Sequence, residues 1–276
     1  MVIHLYNLLI VFWKYCCKAG RGEFMQTFQD YAYYYNSFYK DKDYAAEAIT
    51  VDKLLHSYNT QIKSIINLGC GTGKHDLEFA RLGYQCKGID LSPLMIEVAK
   101  QNSDLSGCGI EFEVADVRNY ETDKKYDAVI SLFHVMSYQN TNTDILNAFK
   151  TARKLLNGNG YFLFDVWYGP GVLTDKPCVR VKEIEDEENK LIRIARPVMH
   201  DKENLVDVNY EVLVINKESN TVQMINEVHK MRYFFRPEIE MLLAEAGFEL
   251  LDNVDCQTLK ETNFCSWTSY FIARAV

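Results

Sequence analysis

A run of three glycines is the first feature of the chain that could do chemistry. Gly69, Gly71 and Gly73 alternate in Gly-Cys-Gly-Thr-Gly, where a short apolar segment gives way to a helical pattern. Glycine lets the backbone turn tightly and pass close to a ligand at the carboxyl edge of a parallel sheet. A dinucleotide-binding fingerprint would require glycine at Lys74, and a P-loop would require Ser or Thr at His75. The spacing therefore argues against NAD, FAD and a P-loop, and we assign His75 to packing or capping.

Two acidic residues stand at the tips of the next two predicted strands. Asp90 falls in the segment 85–91, and Asp116 lies in Val-Ala-Asp-Val. A carboxylate at the tip of the second strand can accept hydrogen bonds from both hydroxyls of a ribose, and one at the tip of the third strand can accept a hydrogen bond from an adenine amino group. Together with the glycines, these acids favour ligand binding over two structural hydrogen bonds or helix caps.

The fourth predicted strand leads into side chains that could handle a proton. Phe133, His134 and Tyr138 follow this strand, again at the carboxyl edge of the sheet. His134 is the first candidate for a general base and Tyr138 is the second. The alternative is that His134 is a hydrogen-bonded structural residue in an apolar run.

The elements that position these residues begin at Ser64, where short apolar runs alternate with amphipathic helices. The pattern predicts a doubly wound, Rossmann-like α/β fold with a seven-stranded, mostly parallel sheet. A helix is expected to begin at Ser92-Pro93, where Ser can cap it and Pro suits its first turn. A turn is expected over residues 157–160, before the fifth strand. The predicted strands are 64–70, 85–91, 111–117, 126–132, 161–167, 249–255 and 266–273.

The pattern of predicted elements changes after the fifth strand. The β-rich segments 179–183, 191–196, 206–215 and 221–235 predict an inserted antiparallel layer over residues 179–235. The acidic run 183–189 is interpreted as a solvated hairpin tip, because it lacks the spacing of a calcium loop. Helical periodicity then returns over residues 237–246.

Three side chains in or near this layer could bind a substrate. Arg232 could clamp a diphosphate, with a surface ion pair as the alternative. Trp167 and Tyr168, just past the fifth strand, could stack on a base or a sugar face, with core packing as the alternative for Trp167.

Tyrosines crowd the segment before the first strand. Tyr35, Tyr39 and Tyr44 fit two interpretations, namely packing of an N-terminal helix on the sheet or a lid whose phenols face a ligand. Phe38 is assigned to packing. The expected domains are a possible non-essential extension (1–24, before Met25), the tyrosine-rich lid (25–63), a core (64–178 and 236–276) and the antiparallel insertion.

Composition narrows the classes of function. The 276 residues contain 30 Lys and Arg against 38 Asp and Glu, and this net charge of −8 disfavours nucleic acid. The eight cysteines form no CxxC pair and no zinc-spaced cluster, so we expect reduced thiols and no metal. The opening apolar stretch is shorter than the ~20 residues of a membrane span. We expect a cytoplasmic protein that acts on a small molecule, without nucleic acid or membrane, and an open sheet edge that could pair two copies into a homodimer.

These motifs resemble those of the class I S-adenosylmethionine-dependent methyltransferases over roughly residues 64–167. The first motif of that superfamily is similar to Leu68-Gly-Cys-Gly-Thr-Gly73, with acids at Asp90 and Asp116. Within the superfamily, the chain is most similar to the bacterial sugar-nucleotide methyltransferases, including the N,N-dimethyltransferases of nucleotide-linked aminosugars. Those enzymes share a tyrosine-rich opening similar to Tyr35-x-x-x-Tyr39, a segment similar to 43–48 and a β insertion on the substrate side.

The resemblance implies S-adenosylmethionine as the cofactor and assigns roles to the matched residues. The glycine loop would approach the methionine part, Asp90 would hold the ribose, and Asp116 with the Val117 N–H would read the adenine. The implied cofactor-binding residues are Tyr39, Gly69, Cys70, Gly71, Gly73, Asp90, Leu91, Met95, Asp116, Val117 and Phe133. The candidate substrate-binding residues are Tyr35, Tyr44, Trp167, Tyr168 and Arg232.

Methyl transfer is a displacement at a sulfonium carbon, so alignment of the acceptor with the methyl group can do most of the catalysis. An amine acceptor can release its proton to water, whereas a hydroxyl acceptor needs a base. We expect transfer to the amine or hydroxyl of a nucleotide-linked sugar, with another small amine or an amino acid as the alternative. An NAD-dependent nucleotide-sugar oxidoreductase and a non-catalytic cofactor-binding module remain as further alternatives.

Overall fold

The computed structural model describes residues 31–276, with side chains from Tyr34 onward. The expected extension 1–24 lies outside the described residues. Two helices, α1 (Tyr31–Phe38) and α2 (Tyr44–His56), precede the first strand. Asp43 caps α2, because its side chain accepts a hydrogen bond from the Ala46 N–H at 2.8 Å.

The first strands and helices of the core alternate as the sequence predicts. The helix boundary expected at Ser92-Pro93 is confirmed, since the Ser92 hydroxyl accepts a hydrogen bond from the Met95 N–H at 3.3 Å and Pro93 opens the helix. A short 3-10 turn (Val135–Tyr138) follows the fourth strand. In chain order the elements are β1 (Ser64–Leu68), α3 (Lys74–Arg81), β2 (Gln85–Asp90), α4 (Pro93–Ser106), β3 (Glu111–Val114), β4 (Tyr126–Ser131), α5 (Asn142–Leu155) and β5 (Leu156–Tyr168).

Seven strands form the core sheet, and five of them are parallel in the order β3-β2-β1-β4-β5. After α7 (Arg236–Glu245) the chain adds β10 (Phe248–Asp255) and β11 (Thr268–Ala275). Strand β11 runs antiparallel to both β5 and β10. The predicted doubly wound, mostly parallel sheet is therefore confirmed.

The turn expected over residues 157–160 is wrong as a separate element. Strand β5 already begins at Leu156, which pairs with Tyr126, and the register shifts before Tyr161 pairs with Ala128. The Asn-Gly-Asn-Gly segment is thus an irregular start of the strand. Glycine tolerates such an irregularity because it has no side chain to displace.

The predicted antiparallel layer is also confirmed. It follows α6 (Gly169–Thr174), and its strands lie in the order β9-β8-β7-β6. Asp186 closes the acidic hairpin by accepting the N–H groups of Glu188 and Asn189, as expected for a solvated tip. The strands are β6 (Arg180–Glu185), β7 (Asn189–His200), β8 (Leu205–Asn216) and β9 (Val222–Phe234).

The layer joins the core at the carboxyl tip of β5. Trp167 and Tyr168 pair in parallel with Tyr233 and Phe234 of β9, so the layer extends from the edge where the parallel strands end. Phe38 of α1 is fully buried among apolar side chains of the layer, which confirms its packing role. Helix α1 therefore packs on the antiparallel layer.

Both faces of the core sheet are covered by helices. Along β5, Phe162 and Phe164 pack under α5 and α7, while Leu163 points to the opposite face, under α2. This alternation is the two-residue period of a strand buried on both sides. It leaves the carboxyl edge as the place where loops and side chains can form a site. No helix in the part of the chain described, residues 31–276, is both long and apolar enough to cross a membrane.

Candidate active site

A cavity of about 1510 Å³ lies at the carboxyl edge of the parallel strands. The loops after β1, β2, β3 and β4 form one wall, the antiparallel layer forms the opposite wall, and tyrosines of α1 and α2 line a third side. Pockets for one small ligand usually measure ~300–1,000 Å³. The cavity is therefore large enough for two ligands side by side.

The three glycines of the loop after β1 serve different purposes. Gly71 has a φ of +55°, and a Cβ atom there would enter open space, so its bare backbone faces the cavity. Gly69 also lines the cavity, but a Cβ atom there would lie 2.4 Å from Val135. Gly73 does not line it; it is buried, and a Cβ atom would lie 2.6 Å from Phe112. Gly73 thus allows close packing at the start of α3, and its expected contact with the cofactor stays a prediction.

Asp90 ties two cavity loops together. One carboxylate oxygen accepts the N–H of Gly71 and the other accepts the N–H of Ser92, both at 2.9 Å. Burial raises the pKa of this carboxyl above its usual range, and the two N–H groups oppose the rise. Because a carboxylate offers about four lone-pair sites, two remain for a further donor such as a diol. Asp90 thus both shapes the glycine loop and lines the cavity.

Asp116 lines the cavity after β3, and its carboxylate is held by Arg118. The Arg118 side chain reaches both oxygens of Asp116 at 2.6–3.0 Å and also pairs with Asp144 at 3.0 Å. Although partial burial acts to raise the pKa of Asp116, Arg118 holds it below its usual range. Arg118 thus fixes this carboxylate in its charged form. The pairing of Asp116 with Arg118 was not predicted from the sequence.

The apolar residues expected around the cofactor also line the cavity. Leu91 is 57% exposed even though it lies in a concave surface, whereas Met95 is buried. Val117 and the backbone of Cys70 complete this stretch of wall. An exposed leucine beside Asp90 offers an apolar platform for a flat ring.

The tyrosines of the N-terminal segment face the cavity. Tyr35, Tyr39 and Tyr44 all line it, and the Tyr39 ring meets Phe133 edge-on at 5.1 Å. Helix α1 is tied to the glycine loop through Asn36, whose side-chain oxygen accepts the Thr72 hydroxyl at 3.0 Å. The positions fit the interpretation of this segment as a lid.

Besides Nδ1 of His134, which lies against Asp165, two polar atoms in the cavity wall are buried without a hydrogen-bond partner among the described residues. They are the Tyr44 hydroxyl and the side-chain oxygen of Asn140. Buried polar groups almost always have a partner, so unpaired ones in a cavity wall indicate a ligand. These two atoms fit a cofactor that carries a ribose and a zwitterionic amino-acid end. The open backbone of Gly71 and the carboxylate oxygens of Asp90, which can still accept hydrogen bonds from a diol, fit the same cofactor.

His134 lies at the tip of β4 beside a buried acid. Its backbone N–H donates to both carboxylate oxygens of Asp165 at 3.1 Å, and its ring Nδ1 lies against the same carboxylate. Phe133 and His134 both have positive φ, of 66° and 67°, which is strained for residues other than glycine. Asp165 holds this strained turn, and the sequence analysis missed it because a single acid in an apolar strand carries no local signal.

Tyr138 reaches across the cavity to the antiparallel layer. Its hydroxyl lies 2.8 Å from Nδ1 of His229, and Nε2 of His229 lies 3.1 Å from a carboxylate oxygen of Glu227. Tyr138 and His229 line the cavity, while Glu227 is buried. The Glu-x-His spacing on a strand places both side chains on one face, a signal that sequence reasoning could have used.

Two of the expected substrate-binding residues do not line the cavity. The Arg232 guanidinium is buried against Glu238 and the Asn142 side chain, so its assignment as a diphosphate clamp is corrected to an internal ion pair. Tyr168 is buried and accepts a hydrogen bond from Thr262, so it packs instead of stacking on a ligand. Trp167 does line the cavity.

Charge is distributed unevenly over the two main walls. The antiparallel layer contributes Arg180, Arg193 and Lys230 to the lining and no carboxylate. The sheet edge contributes the carboxylates of Asp90, Asp116 and Asp144, with Lys74 and Arg118 as its cations. The three cations of the layer were not identified from the sequence, because charged residues on strands read as ordinary surface residues.

His75 fulfils the expected packing role. It is buried, and its Nε2 lies 2.7 Å from a carboxylate oxygen of Glu47, which also pairs with Lys42. Burial acts to raise the pKa of Glu47, but His75 and Lys42 outweigh it and lower that pKa to about 2. This cluster joins α2 to α3, and His75 also lines the cavity.

Residues 65–160 match the methyltransferase domain family. The chain is 25% identical over 223 residues to the dTDP-3-amino-3,4,6-trideoxy-alpha-D-glucopyranose N,N-dimethyltransferase of Streptomyces venezuelae, covering 80% of this chain and 91% of that one. It is 24% identical to the dTDP-4-amino-2,3,4,6-tetradeoxy-D-glucose N,N-dimethyltransferase of Saccharopolyspora spinosa, covering 75% of this chain and 80% of that one.

The fold is similar to that of a solved sugar N-methyltransferase from a Streptoalloteichus species. The TM-score is 0.77 at 19% identity, covering 93% of this chain and 97% of that one. The matched residues include the glycine loop, Asp90 and Asp116 that line the cavity, together with β2, β3 and β4, most of β1 and the start of β5. The protein is an S-adenosylmethionine-dependent methyltransferase with the Rossmann-like fold of class I.

Proposed function

We propose that the protein methylates the amino group of a sugar that carries a nucleoside diphosphate. One observation carries this proposal. In a single cavity of about 1510 Å³, the edge of the parallel sheet, where the cofactor would bind, faces an antiparallel layer that lines the cavity with cations. The names of the two relatives describe N,N-dimethyltransferases of dTDP-linked aminosugars. A diphosphate-linked acceptor is an anion, and the charge of the layer suits it.

On the cofactor side, the bound group supplies a methyl carbon activated by a positively charged sulfur. Asp90 would accept hydrogen bonds from the ribose, and Asp116 with the Val117 N–H would bind the adenine edge. Leu91 and Met95 would contact the adenine ring. Tyr39 accepts a hydrogen bond from Arg193 at 3.1 Å, which leaves its O–H to donate to the carboxylate of the cofactor.

On the acceptor side, Arg180 and Lys230 are exposed in the cavity wall. Neither has an acidic partner within the described part of the chain, whereas Arg118 of the sheet edge pairs with Asp116 and Asp144. Cations without acidic partners bind phosphate oxygens without first breaking an ion pair. Trp167, Tyr35 and Tyr44 would contact the sugar or the base between the phosphates and the methyl group.

Catalysis in this proposal is mostly alignment, with His134 and Tyr138 as the groups closest to the departing proton. An amine attacks only when unprotonated, so a residue that removes its proton raises the reactive fraction. Asp165 would fix the orientation of His134 through the contacts at the tip of β4. The tyrosine-rich segment 25–63 would act as the lid, residues 179–235 as the acceptor-binding insertion, and the edge strand β6 as a site for homodimer formation.

The test combines binding with acceptor comparison. Calorimetry of the purified full chain should give saturable binding of S-adenosylmethionine and none of NAD at the same concentration. Mass spectrometry should then detect methylation of a dTDP-linked aminosugar, and far slower methylation of the same aminosugar without the nucleotide. Equal rates for the two acceptors would overturn the diphosphate part of the proposal, and methylation of neither would overturn the acceptor class.

A further inference from the structure

A chain of hydrogen bonds links the cavity to a buried acid in the antiparallel layer. It runs from the Tyr138 hydroxyl to His229 at 2.8 Å and from His229 to Glu227 at 3.1 Å. His229 and Glu227 are 2% and 8% exposed, so both stand apart from bulk water. Tyr138 comes from the turn after β4, whereas the other two come from β9, and the three meet only through the fold.

The chemistry of the partners sets the direction of these bonds. An ionised carboxylate can only accept, so Nε2 of His229 carries the proton that it shares with Glu227. In a neutral imidazole, Nδ1 is then an acceptor, and the Tyr138 hydroxyl donates to it. The tyrosine oxygen can also accept a hydrogen bond, and Tyr138 forms part of the cavity wall.

His229 is surrounded by charged and titratable groups from several elements. Glu227 lies on its own strand, Tyr138 on the turn after β4, Tyr210 on β8 with its ring centroid 4.7 Å away, and Arg193 on β7. Burial lowers the pKa of His229 below its usual value, Arg193 lowers it further, and Glu227 opposes both. The imidazole is therefore neutral near pH 7, the form that can take up a proton.

We propose that Tyr138, His229 and Glu227 form a proton relay that removes the proton from the acceptor during methyl transfer. The inference rests on the proposed amine acceptor, and it assigns catalytic roles to Tyr138 and His229 and a positioning role to Glu227. His229 and Glu227 lie 91 and 89 residues after Tyr138 in the chain, which is why sequence spacing did not group them.

The relay balances for one methyl transfer. The lone pair of the acceptor nitrogen forms the new N–C bond, while the electrons of the methyl–sulfur bond return to sulfur. The proton leaving the nitrogen passes to the Tyr138 oxygen as the hydroxyl proton passes to Nδ1 of His229. The resulting imidazolium is paired with the Glu227 carboxylate and later releases its proton to water.

Nitrogen NMR of the histidines tests the relay without any acceptor. In the full-length protein at pH 7, the His229 signals, assigned with a His229→Gln variant, should show a neutral ring with the proton on Nε2. In Glu227→Gln the His229 pKa should fall, because the carboxylate that stabilises the imidazolium is gone. A ring protonated on Nδ1 would overturn the proposal, whether or not the acceptor class is correct.

The pH profile of kcat tests the relay in turnover. Tyr138→Phe should lower kcat about 100-fold, the usual size of a general-base effect, with the affinity for S-adenosylmethionine and the Tm unchanged. His229→Gln should remove the acidic limb of the profile, and Glu227→Gln should move that limb to lower pH and lower the plateau. His200→Asn is the matched control, because His200 pairs with Asp207 on the same layer but outside the cavity lining.

Two outcomes would reject the relay in particular. One is a Tyr138→Phe variant whose kcat stays within twofold of the parent across the pH range. The other is loss of the acidic limb in His134→Asn while it persists in His229→Gln, which would assign the proton to the pair of His134 and Asp165. If no nucleotide-linked aminosugar is methylated, the proposed function fails and the NMR result still decides the hydrogen-bond direction.

Discussion

The sheet edge and the antiparallel layer form two walls of one cavity in different ways. Residues of the edge follow parallel strands, and some of their partners are close in sequence, as when Asp90 accepts the N–H of Ser92. The layer offers Arg180, Arg193 and Lys230 from three separate strands. The edge is thus a set of local turns, whereas the layer becomes a wall only when its strands have paired.

This contrast teaches that one wall can be conserved in geometry while the other varies in charge. Turns after parallel strands are fixed by backbone hydrogen bonds, such as that of Gly71 to Asp90. Side chains on a long strand can change without disturbing the pairing of the backbone.

The largest effect that tests this comparison is expected for Asp90→Asn. The affinity for S-adenosylmethionine should fall by about 100-fold or more, because two charged hydrogen bonds of ~1.5–3 kcal/mol each are weakened or lost. Isothermal calorimetry measures the change. Asp186→Asn is the matched control, because Asp186 also accepts two backbone N–H groups, but in the layer hairpin. If both variants lost the same affinity for S-adenosylmethionine, the loss would reflect lower overall stability and not the contacts of Asp90 at the sheet edge.

An intermediate effect is expected when the layer loses its unpaired cations. The double variant Arg180→Ala with Lys230→Ala should raise KM for a diphosphate-linked acceptor about tenfold, since exposed charge pairs contribute up to ~1 kcal/mol each. The difference in KM between the double variant and the parent should shrink as salt is added, because salt screens exposed charges. Steady-state kinetics at two ionic strengths measure both effects. Lys217→Ala, at the far end of β8, should leave KM unchanged, and a matching rise there would argue against a local phosphate site.

The smallest effect concerns Glu47 of α2, which belongs to neither wall. The pKa of Glu47 is lowered to about 2 from a usual value near 4.5, so its stabilising effect is present above pH 4.5 and disappears as the pH falls toward 2. Its side chain is 37% exposed, and solvent screening limits the contribution to about 1 kcal/mol. In Glu47→Gln, chemical unfolding between pH 3 and 7 should show a shallower loss of stability with acid. Glu245→Gln, whose partner lies 3.8 Å away on the surface, should reproduce the parent slope.

Sequence reasoning succeeded where the structural signal is local. The cap at Ser92 and the alternation of strands and helices in the core follow from capping chemistry and from the periods of helices and strands. The prediction for Arg232 was wrong because Glu238, at the start of α7, folds back onto the end of β9 and takes the guanidinium. The packing of Phe112 from β3 beside Gly73 is a long-range contact of the same kind.

The sequence by itself determined the α/β fold and the cofactor edge, since a glycine turn and an acid at a strand tip are set by neighbouring residues. Only the tertiary structure decided which side chains face them. Asp165 reaches His134 from the adjacent strand, and His229 reaches Tyr138 across 91 positions of the chain. Such contacts depend on how the antiparallel layer packs over the sheet edge. Packing over that distance leaves no periodic trace in the sequence, because no short-range spacing relates the partners.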